Sequence, residues 1–318
     1  MNFIQKLKER ILHGPIVIGV LRWAKTHSLP GFRSISIYDV VDFFMGQVRA
    51  IGMTERASAI AFNFVMAIPP ATIFLFTLIP FFPITQVFQE ELYRLIRDVI
   101  PGEKDNAVLI RFLSDFINHP RSGLLSIGFI LALFFSSNAM MGIMRSFDKN
   151  YAGFTKRKGF QKRLVALKIT MMLYFFVICS VLLLVAREAV LRWLGINDPA
   201  LIKLIDNLRW TVIVLLYFFC ISFIYKHAPS VHKKWNLINP GSILATGLML
   251  LMTVAFSWWV ASFAQYNQIY GSISTVLIIM ILIFVNSLFL LIGFELNVSI
   301  QSLLQRAEER KEEMIDPI

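Results

Sequence analysis

Charged residues and cysteine are both scarce in this chain of 318 residues. Only 16% of the residues are charged, 57% are hydrophobic and the mean hydropathy is +0.66. Soluble domains carry about 25% charged and about 45–50% apolar residues, so this composition excludes an ordinary soluble domain. The two cysteines, Cys179 and Cys220, lie inside apolar runs, which favours small buried side chains over a disulfide.

Motifs for most kinds of catalysis are also absent. The sequence has no GxxxxGKS/T phosphate loop, no HExxH, no CxxC and no GxSxG, which argues against an ATP-driven pump within this chain, a zinc peptidase and a serine hydrolase. The five histidines are scattered, and a nuclease would need clustered acids for its metal, whereas the predicted cytoplasmic side offers mainly Lys and Arg. We therefore expect no catalytic residue, no metal site, no cofactor and no enzyme activity, including ribonuclease or other hydrolase activity.

Long apolar runs are what the sequence has instead. From Ile273 to Phe294 no charge occurs, which exceeds the ~20 residues that a helix needs to cross ~30 Å of hydrocarbon. No clean signal peptide precedes the first run, so we expect that run to serve as the insertion signal. The pattern predicts an all-α integral membrane protein with six transmembrane helices, at about 57–81, 122–144, 164–185, 210–225, 240–264 and 273–294.

The distribution of Lys and Arg predicts the orientation of these spans. Of the 31 Lys and Arg, 22 lie before span one, between spans two and three (counted to Lys168, just inside span three), between spans four and five, or after span six. The positive-inside rule then places the N and C termini in the cytoplasm. The net charge of +11 thus reflects orientation rather than nucleic-acid binding, and anionic lipid headgroups at the basic loops are the expected partners.

Amphipathic stretches are predicted outside the six spans. Residues 1–56 form a basic segment with two stretches of helical spacing, Phe3 to Ile11 and Ile37 to Ile51. The second has Ser36 as its N-cap and Asp39 in its first turn. Such helices lie in the headgroup plane, or they pack on each other as in a soluble domain. Residues 84–121 hold two further stretches that either cap a cavity or rest on the bilayer. The six-span domain covers 57–300, and 301–318 is a polar cytoplasmic tail.

Polar residues and prolines within the spans are the candidates for function. The double proline at 69–70 is predicted to kink span one, and a broken backbone should face protein or a water-filled cavity. A kink without any pathway is the alternative. The candidate pathway or gate residues are Asn63, Pro69, Pro70, Asn138, Asn286, Glu295 and Asn297.

Glu295 is the only acid among these candidates. Arg56 and Arg145, at the inner ends of spans one and two, are its candidate ion-pair partners. The pair is either a structural lock that holds helix ends together or a gate at the cytoplasmic mouth of a pathway. The third alternative is that Glu295 is simply exposed to water among the headgroups. A membrane-embedded enzyme would need paired acids at one depth, and only Glu295 is seen.

Several motifs carry a resemblance to a known family. They are an Arg56-Ala57-x-Ala59-x-Ala61-Phe62 run leading to a proline, NAMMGIMRSFDKNY at 138–151, basic residues ending at Arg163, Pro229 with Pro240-Gly241, and YGS at 270–272 followed by G-x-E-L-N at 293–297. From about Arg49 to Asn297 the chain resembles the YihY/BrkB-type bacterial inner-membrane proteins. It departs from their pattern at Phe294, where Ala is usual, and in its double proline.

The resemblance implies six spans with cytoplasmic ends, as the charge count does, in the bacterial inner membrane. Members are described as transporters or envelope-integrity proteins, some linked to lipid or lipopolysaccharide export. We therefore expect a transporter or flippase-like protein for an amphipathic or lipid-linked substrate. The alternative is a non-transporting scaffold or envelope-integrity protein that binds partners or lipids. Formation of a homo-oligomer is left open.

Overall fold

The computed structural model describes residues 15–32, 35–50, 52–78, 122–148, 157–185, 198–231, 234–262 and 272–315, with a few isolated positions between 93 and 115. Within these residues the chain forms helices and turns, with no β-strand. The eight helices are α1 (Pro15–Thr26), α2 (Ile37–Ala50), α3 (Met53–Leu78), α4 (Ser122–Phe147), α5 (Gly159–Val185), α6 (Pro199–His227), α7 (Pro240–Ser262) and α8 (Ser272–Ile315).

Helices α3 to α8 are each long and apolar enough to cross a membrane, which confirms the predicted all-α fold with six spans. The side to which each terminus faces, the interfacial position of the amphipathic helices and the domain boundaries stay predictions. The amphipathic stretch predicted from Phe3 to Ile11 and most of those predicted at 84–121 lie outside the described residues.

Helix α6 is longer than the short fourth span predicted at 210–225. It begins at Pro199, and Asp198 caps it because its Oδ1 accepts the N–H of Ala200 at 2.9 Å. Residues 199–209 and the predicted fourth span are therefore one helix of 29 residues, which is long enough to cross the bilayer. Helix α8 likewise continues past Phe294, and residues 301–315 of the predicted tail are helical.

Helix α3 includes Pro69 and Pro70, so the first span is one helical segment at the double proline, and the predicted kink stays a prediction. Each proline lacks the N–H that would bond to the carbonyl four residues earlier, so only the bonds to Val65 and Met66 are lost. The proline φ of about −65° is itself helical. Two missing hydrogen bonds therefore leave a continuous helix here.

The chain forms two compact units. The first takes its described residues from Met1–Ser58, Phe147–Lys156 and Ile221–Ile318, and the second from Ala59–Ser146 and Arg157–Cys220. In the first unit α8 packs against α7 and α2, and α2 packs against α1. A small core of Phe32, Val40 and Ile300 joins α2 to α8.

The start of α2 follows the sequence prediction. The Oγ of Ser36 accepts the N–H of Asp39 at 3.1 Å and donates to Asp39 Oδ2 at 2.7 Å. This reciprocal cap satisfies a backbone donor in the first turn of α2. It fixes the start of the helix whose Val40 is completely buried against α8.

Candidate functional site

A tight turn between α2 and α3 places Arg56. Gly52 lies in this turn with φ +50°, in the left-handed region that a residue with a side chain rarely adopts. The N–H of Arg56 donates to the carbonyl of Gly52 at 3.4 Å. Because α3 begins at Met53, Arg56 lies in its first turn and in the first unit.

Arg56 forms a buried ion pair with Glu295 of α8. Its Nη1 donates to Glu295 Oε1 at 2.5 Å, and the exposed fractions are 7% for Arg56 and 0% for Glu295. Glu295 lies within Val276–Arg310, one of the six helical stretches that could cross a membrane. A charge in such a place is costly unless it is paired. Of the two partners considered from the sequence, the structure places Arg56 against Glu295, while Arg145 is exposed.

The residue before Glu295 belongs to a cluster of buried aromatic side chains. The rings of Phe294 and Phe147 are stacked with centroids 3.9 Å apart and planes 2° from parallel, and Trp235 lies 5.6 Å from Phe294. The hydroxyl of Tyr225 donates to the carbonyl of Leu290 at 2.6 Å, one turn before Phe294. Phe294, where the family pattern usually has Ala, therefore fills the space between aromatic side chains of other segments.

Asn297 ties α8 to the start of α7. Its Oδ1 accepts the N–H of Gly241 at 2.9 Å, and its Nδ2 donates to Asn239 Oδ1 at 2.6 Å. Asn239 Oδ1 also accepts the N–H of Ser242 at 2.8 Å, as an N-cap before Pro240. The first turn of α7 is thus capped both by Asn239, directly before the helix, and by Asn297 of α8. Both asparagines are buried.

Helices α7 and α8 touch through two glycines. A Cβ built on Gly241 would collide with the carbonyl oxygen of Gly293, and a Cβ built on Gly293 would collide with that of Gly241. The Cβ of Ala245 and the hydroxyl of Tyr225 would also lie within 3 Å of a Cβ on Gly293. Only glycine allows the two backbones to approach this closely.

Gly241→Ala is expected to weaken the folded protein by about 1–3 kcal/mol, because the added methyl group forces α7 and α8 apart. Gly247→Ala is the matched control on the same helix, since nothing lies within 4 Å of a Cβ there. Alanine is the better helix former, so this control should be neutral or stabilising. The midpoints of thermal unfolding of the two variants are compared in the same detergent. Equal midpoints would contradict the close approach of α7 and α8 at Gly241.

Two predicted asparagines lie in the second unit. Asn63 of α3 donates from Nδ2 to the carbonyl of Ala59 at 2.6 Å, and its side chain covers Gly142 of α4. Asn138 of α4 accepts from Arg163 Nη1 of α5. The hydroxyls of Ser136 and Tyr174 lie 2.7 Å apart between the same two helices. Polar side chains therefore lie where α3 packs on α4 and where α4 packs on α5.

The structure divides the predicted site residues between the two units. Asn286, Glu295 and Asn297 are all on α8 in the first unit, where Asn286 donates to the carbonyl of Leu282 in its own helix at 2.9 Å. The residues of α3 and α4, in the second unit, are Asn63, Pro69, Pro70 and Asn138. The predicted site residues thus fall into two groups, one in each unit.

Sequence reasoning missed three polar side chains that the structure brings into these groups. Asn239 could have been found, because an Asn directly before a Pro is a typical helix N-cap followed by proline at the first helical position. Arg163 appeared only as the end of a basic run. For Tyr225 no sequence signal exists, because a tyrosine in an apolar run looks like any core residue.

Six apolar helices define the class of this chain as a multi-pass membrane protein. The family described as Virulence factor BrkB matches residues 44–316, so the chain belongs to that family. This confirms the resemblance that the motifs around 270–297 indicated, and it agrees with a place in the bacterial inner membrane.

Individual relatives are distant but cover most of the chain. The ribonuclease-like protein YfkH of Bacillus subtilis is 27% identical over 247 residues, which are 76% of this chain and 88% of YfkH. The UPF0761 membrane protein MS0032 of Mannheimia succiniciproducens is 22% identical, over 77% of this chain and 83% of its own length. A UPF0761 membrane protein of Coxiella burnetii (strain Dugway 5J108-111) is 23% identical, over 76% of this chain and 86% of its own length. No solved structure matches the chain.

Proposed function

We propose that this protein is a transporter or flippase-like protein that moves an amphipathic or lipid-linked molecule across the bacterial inner membrane. The observation that carries the proposal is the buried Arg56–Glu295 pair, whose two residues belong to two different span-forming helices, α3 and α8. Ionisable residues within spans are rare and usually mark pathways, relays or gates. Membership of the BrkB family supports a membrane role of this kind and does not specify the cargo.

The chemistry of the pair suits a gate. The carboxylate of Glu295 bonds to a guanidinium that is permanently charged, so separating the two groups requires that water or another ligand replace the partner. The carbonyl of Glu295 also accepts the Ser299 hydroxyl at 2.8 Å, within the same stretch of α8 as Asn297. The proposed gate thus lies two residues from Asn297, which bonds to the start of α7.

The experiment is lipid movement in proteoliposomes. Purified protein is reconstituted into vesicles that contain a headgroup-labelled lipid, and a membrane-impermeant quencher reports how fast the inner label becomes accessible. Faster exposure than in protein-free vesicles supports the proposal. Rates equal to those of protein-free vesicles, for lipids of several headgroups and for a water-soluble anion, would reject it and leave the scaffold function.

We also propose that the chain does not hydrolyse RNA, although one relative is named ribonuclease-like. Among the residues that the structure describes, no group of three or more His, Cys, Asp and Glu is placed to hold a metal ion. The partners that we propose are membrane lipids, with anionic headgroups at the basic loops, and no nucleic acid. Cleavage of a labelled RNA by purified protein, abolished by Glu295→Gln, would overturn this proposal.

A further inference from the structure

Arg163 of α5 extends its side chain along α4. The guanidinium donates from Nη1 to Asn138 Oδ1, contacts the sulfur of Met141 at 3.3 Å and lies 3.5 Å from the carbonyl oxygen of Phe134. It also lies over the ring of Phe134, 4.8 Å from the centroid. A single cation thus contacts about two turns of the neighbouring helix.

None of these contacts neutralises the charge. The partners are an amide, a thioether, a carbonyl and an aromatic ring, and no carboxylate in the described ranges pairs with Arg163. The first unit is different, because there Glu295 compensates Arg56. A guanidinium has five N–H donors and stays charged at every relevant pH. Arg163 therefore keeps both its charge and part of its donor capacity for another acceptor.

The direction of the side chain is unusual for a helix end. Arg163 is in the second turn of α5, where a basic residue normally extends towards the headgroups. Its contact with Phe134 instead lies near the middle of the candidate span Ser126–Phe147. Phe134 is about 20 Å along the helix axis from the Phe147 end, at 1.5 Å per residue. Simple anchoring of α5 at the membrane surface does not explain this direction.

The surroundings are amphiphilic. Arg163, Asn138 and the hydroxyl pair of Ser136 and Tyr174 are only partly buried, so this polar strip reaches the surface of the second unit. Next to it, Phe134 is 51% exposed. The exposed apolar side chains of the same two helices include Leu131, Phe134 and Phe175. A cation beside exposed apolar surface suits a ligand that has an anionic head and hydrocarbon chains.

We propose that Arg163, held by Asn138 and Phe134, binds the phosphate of an anionic membrane lipid on the α4–α5 face of the second unit. Two parallel N–H donors of a guanidinium match two phosphate oxygens, and lysine cannot reproduce this fork. The proposal is argued from contacts within one unit and goes beyond the proposed function, since the lipid can be bound whether or not anything is transported.

The test is native mass spectrometry of the full chain, released from micelles that contain equal amounts of phosphatidylglycerol and phosphatidylcholine with the same acyl chains. The wild type is expected to retain phosphatidylglycerol. Arg163→Gln should reduce this retention by ~10-fold, the size of one lost charge-assisted hydrogen bond, and Arg163→Lys should lie in between. Lys168→Gln is the matched control, because it removes an exposed cation from the same helix.

Competition with inorganic phosphate and a second set of variants distinguish the lipid proposal from its alternatives. Inorganic phosphate in excess should leave the lipid bound, and displacement at millimolar concentration would identify a free phosphate as the ligand and overturn the lipid proposal. If Arg163→Gln does not fold, Arg163→Lys and Asn138→Ala replace it, and unchanged retention in both would reject the site. Equal losses in Arg163→Gln and Lys168→Gln would reduce the effect to general charge attraction and also reject it. Because binding is measured, a failure here is separate from a failure to transport.

Discussion

Arg56→Ala and Glu295→Ala are each expected to destabilise the protein by about 3–5 kcal/mol, because either change leaves a charge buried without the partner that it has at 2.5 Å. Glu295 is completely buried, so water cannot easily replace the guanidinium. The free energy of unfolding is measured by denaturant titration in mixed micelles, and the apparent melting temperature should fall in parallel.

The control for this prediction is Arg145→Ala. Arg145 is exposed at the end of α4, and substitutions at such positions usually change stability by less than about 0.5 kcal/mol. In the double variant Arg56→Met with Glu295→Leu, most of the loss should be recovered, because apolar side chains of similar size often replace a buried ion pair without destabilisation. Single variants as stable as the wild type would contradict the buried pair.

Phe294→Ala is expected to cost about 3–5 kcal/mol, the usual range when a fully buried Phe is truncated to Ala. The lost ring is stacked on Phe147 at 3.9 Å and also lies beside Trp235, so the change removes contacts with two other segments. Phe294→Leu keeps much of the volume and should cost clearly less. Unfolding in mixed micelles again gives the comparison.

Phe160→Ala is the control for the aromatic prediction, because Phe160 is 76% exposed and its truncation removes little packing. The result has a bearing on the family as well. Ala is the usual residue in the family pattern at this position, so relatives with Ala should have a larger residue opposite it. Phe294→Ala with wild-type stability would mean that this chain tolerates the Ala without such compensation.

The membrane fold could be predicted from the sequence because its signals are strong and local. An uncharged run such as Ile273 to Phe294 has few alternatives to a span, and all six spans are found as helices. The residues at which the helices begin and end could be predicted less closely. Hydropathy alone placed the start of span four at 210, whereas the cap formed by Asp198 begins α6 at Pro199.

The ion pair shows where sequence reasoning reached its limit. Depth along the spans made Arg56 and Arg145 equal candidates for Glu295, because depth does not reveal which face of a helix points towards its neighbour. The positive φ of Gly52 and the start of α3 at Met53 bring Arg56 to Glu295. Such a choice depends on the tertiary path of the chain and has no signature in a single sequence.

The double proline shows a related limit. Proline within a helix predicts a kink or a break, and the sequence alone does not distinguish the two. In a long membrane helix, neighbouring hydrogen bonds hold the backbone on both sides, and α3 continues from Met53 to Leu78. The proposed function therefore depends on the charged pair rather than on the prolines.

The measurement that tests the central claim most directly is the rate of lipid exposure by Glu295→Gln in proteoliposomes, normalised to the amount of folded protein. Glutamine keeps the shape of Glu295 and removes its charge, so the pairing with Arg56 is weakened while most packing remains. A gate predicts that the rate for each folded molecule changes severalfold, with Arg145→Ala at the wild-type rate. An unchanged rate for each folded molecule, together with lowered stability, would contradict the gate and make the pair a structural lock.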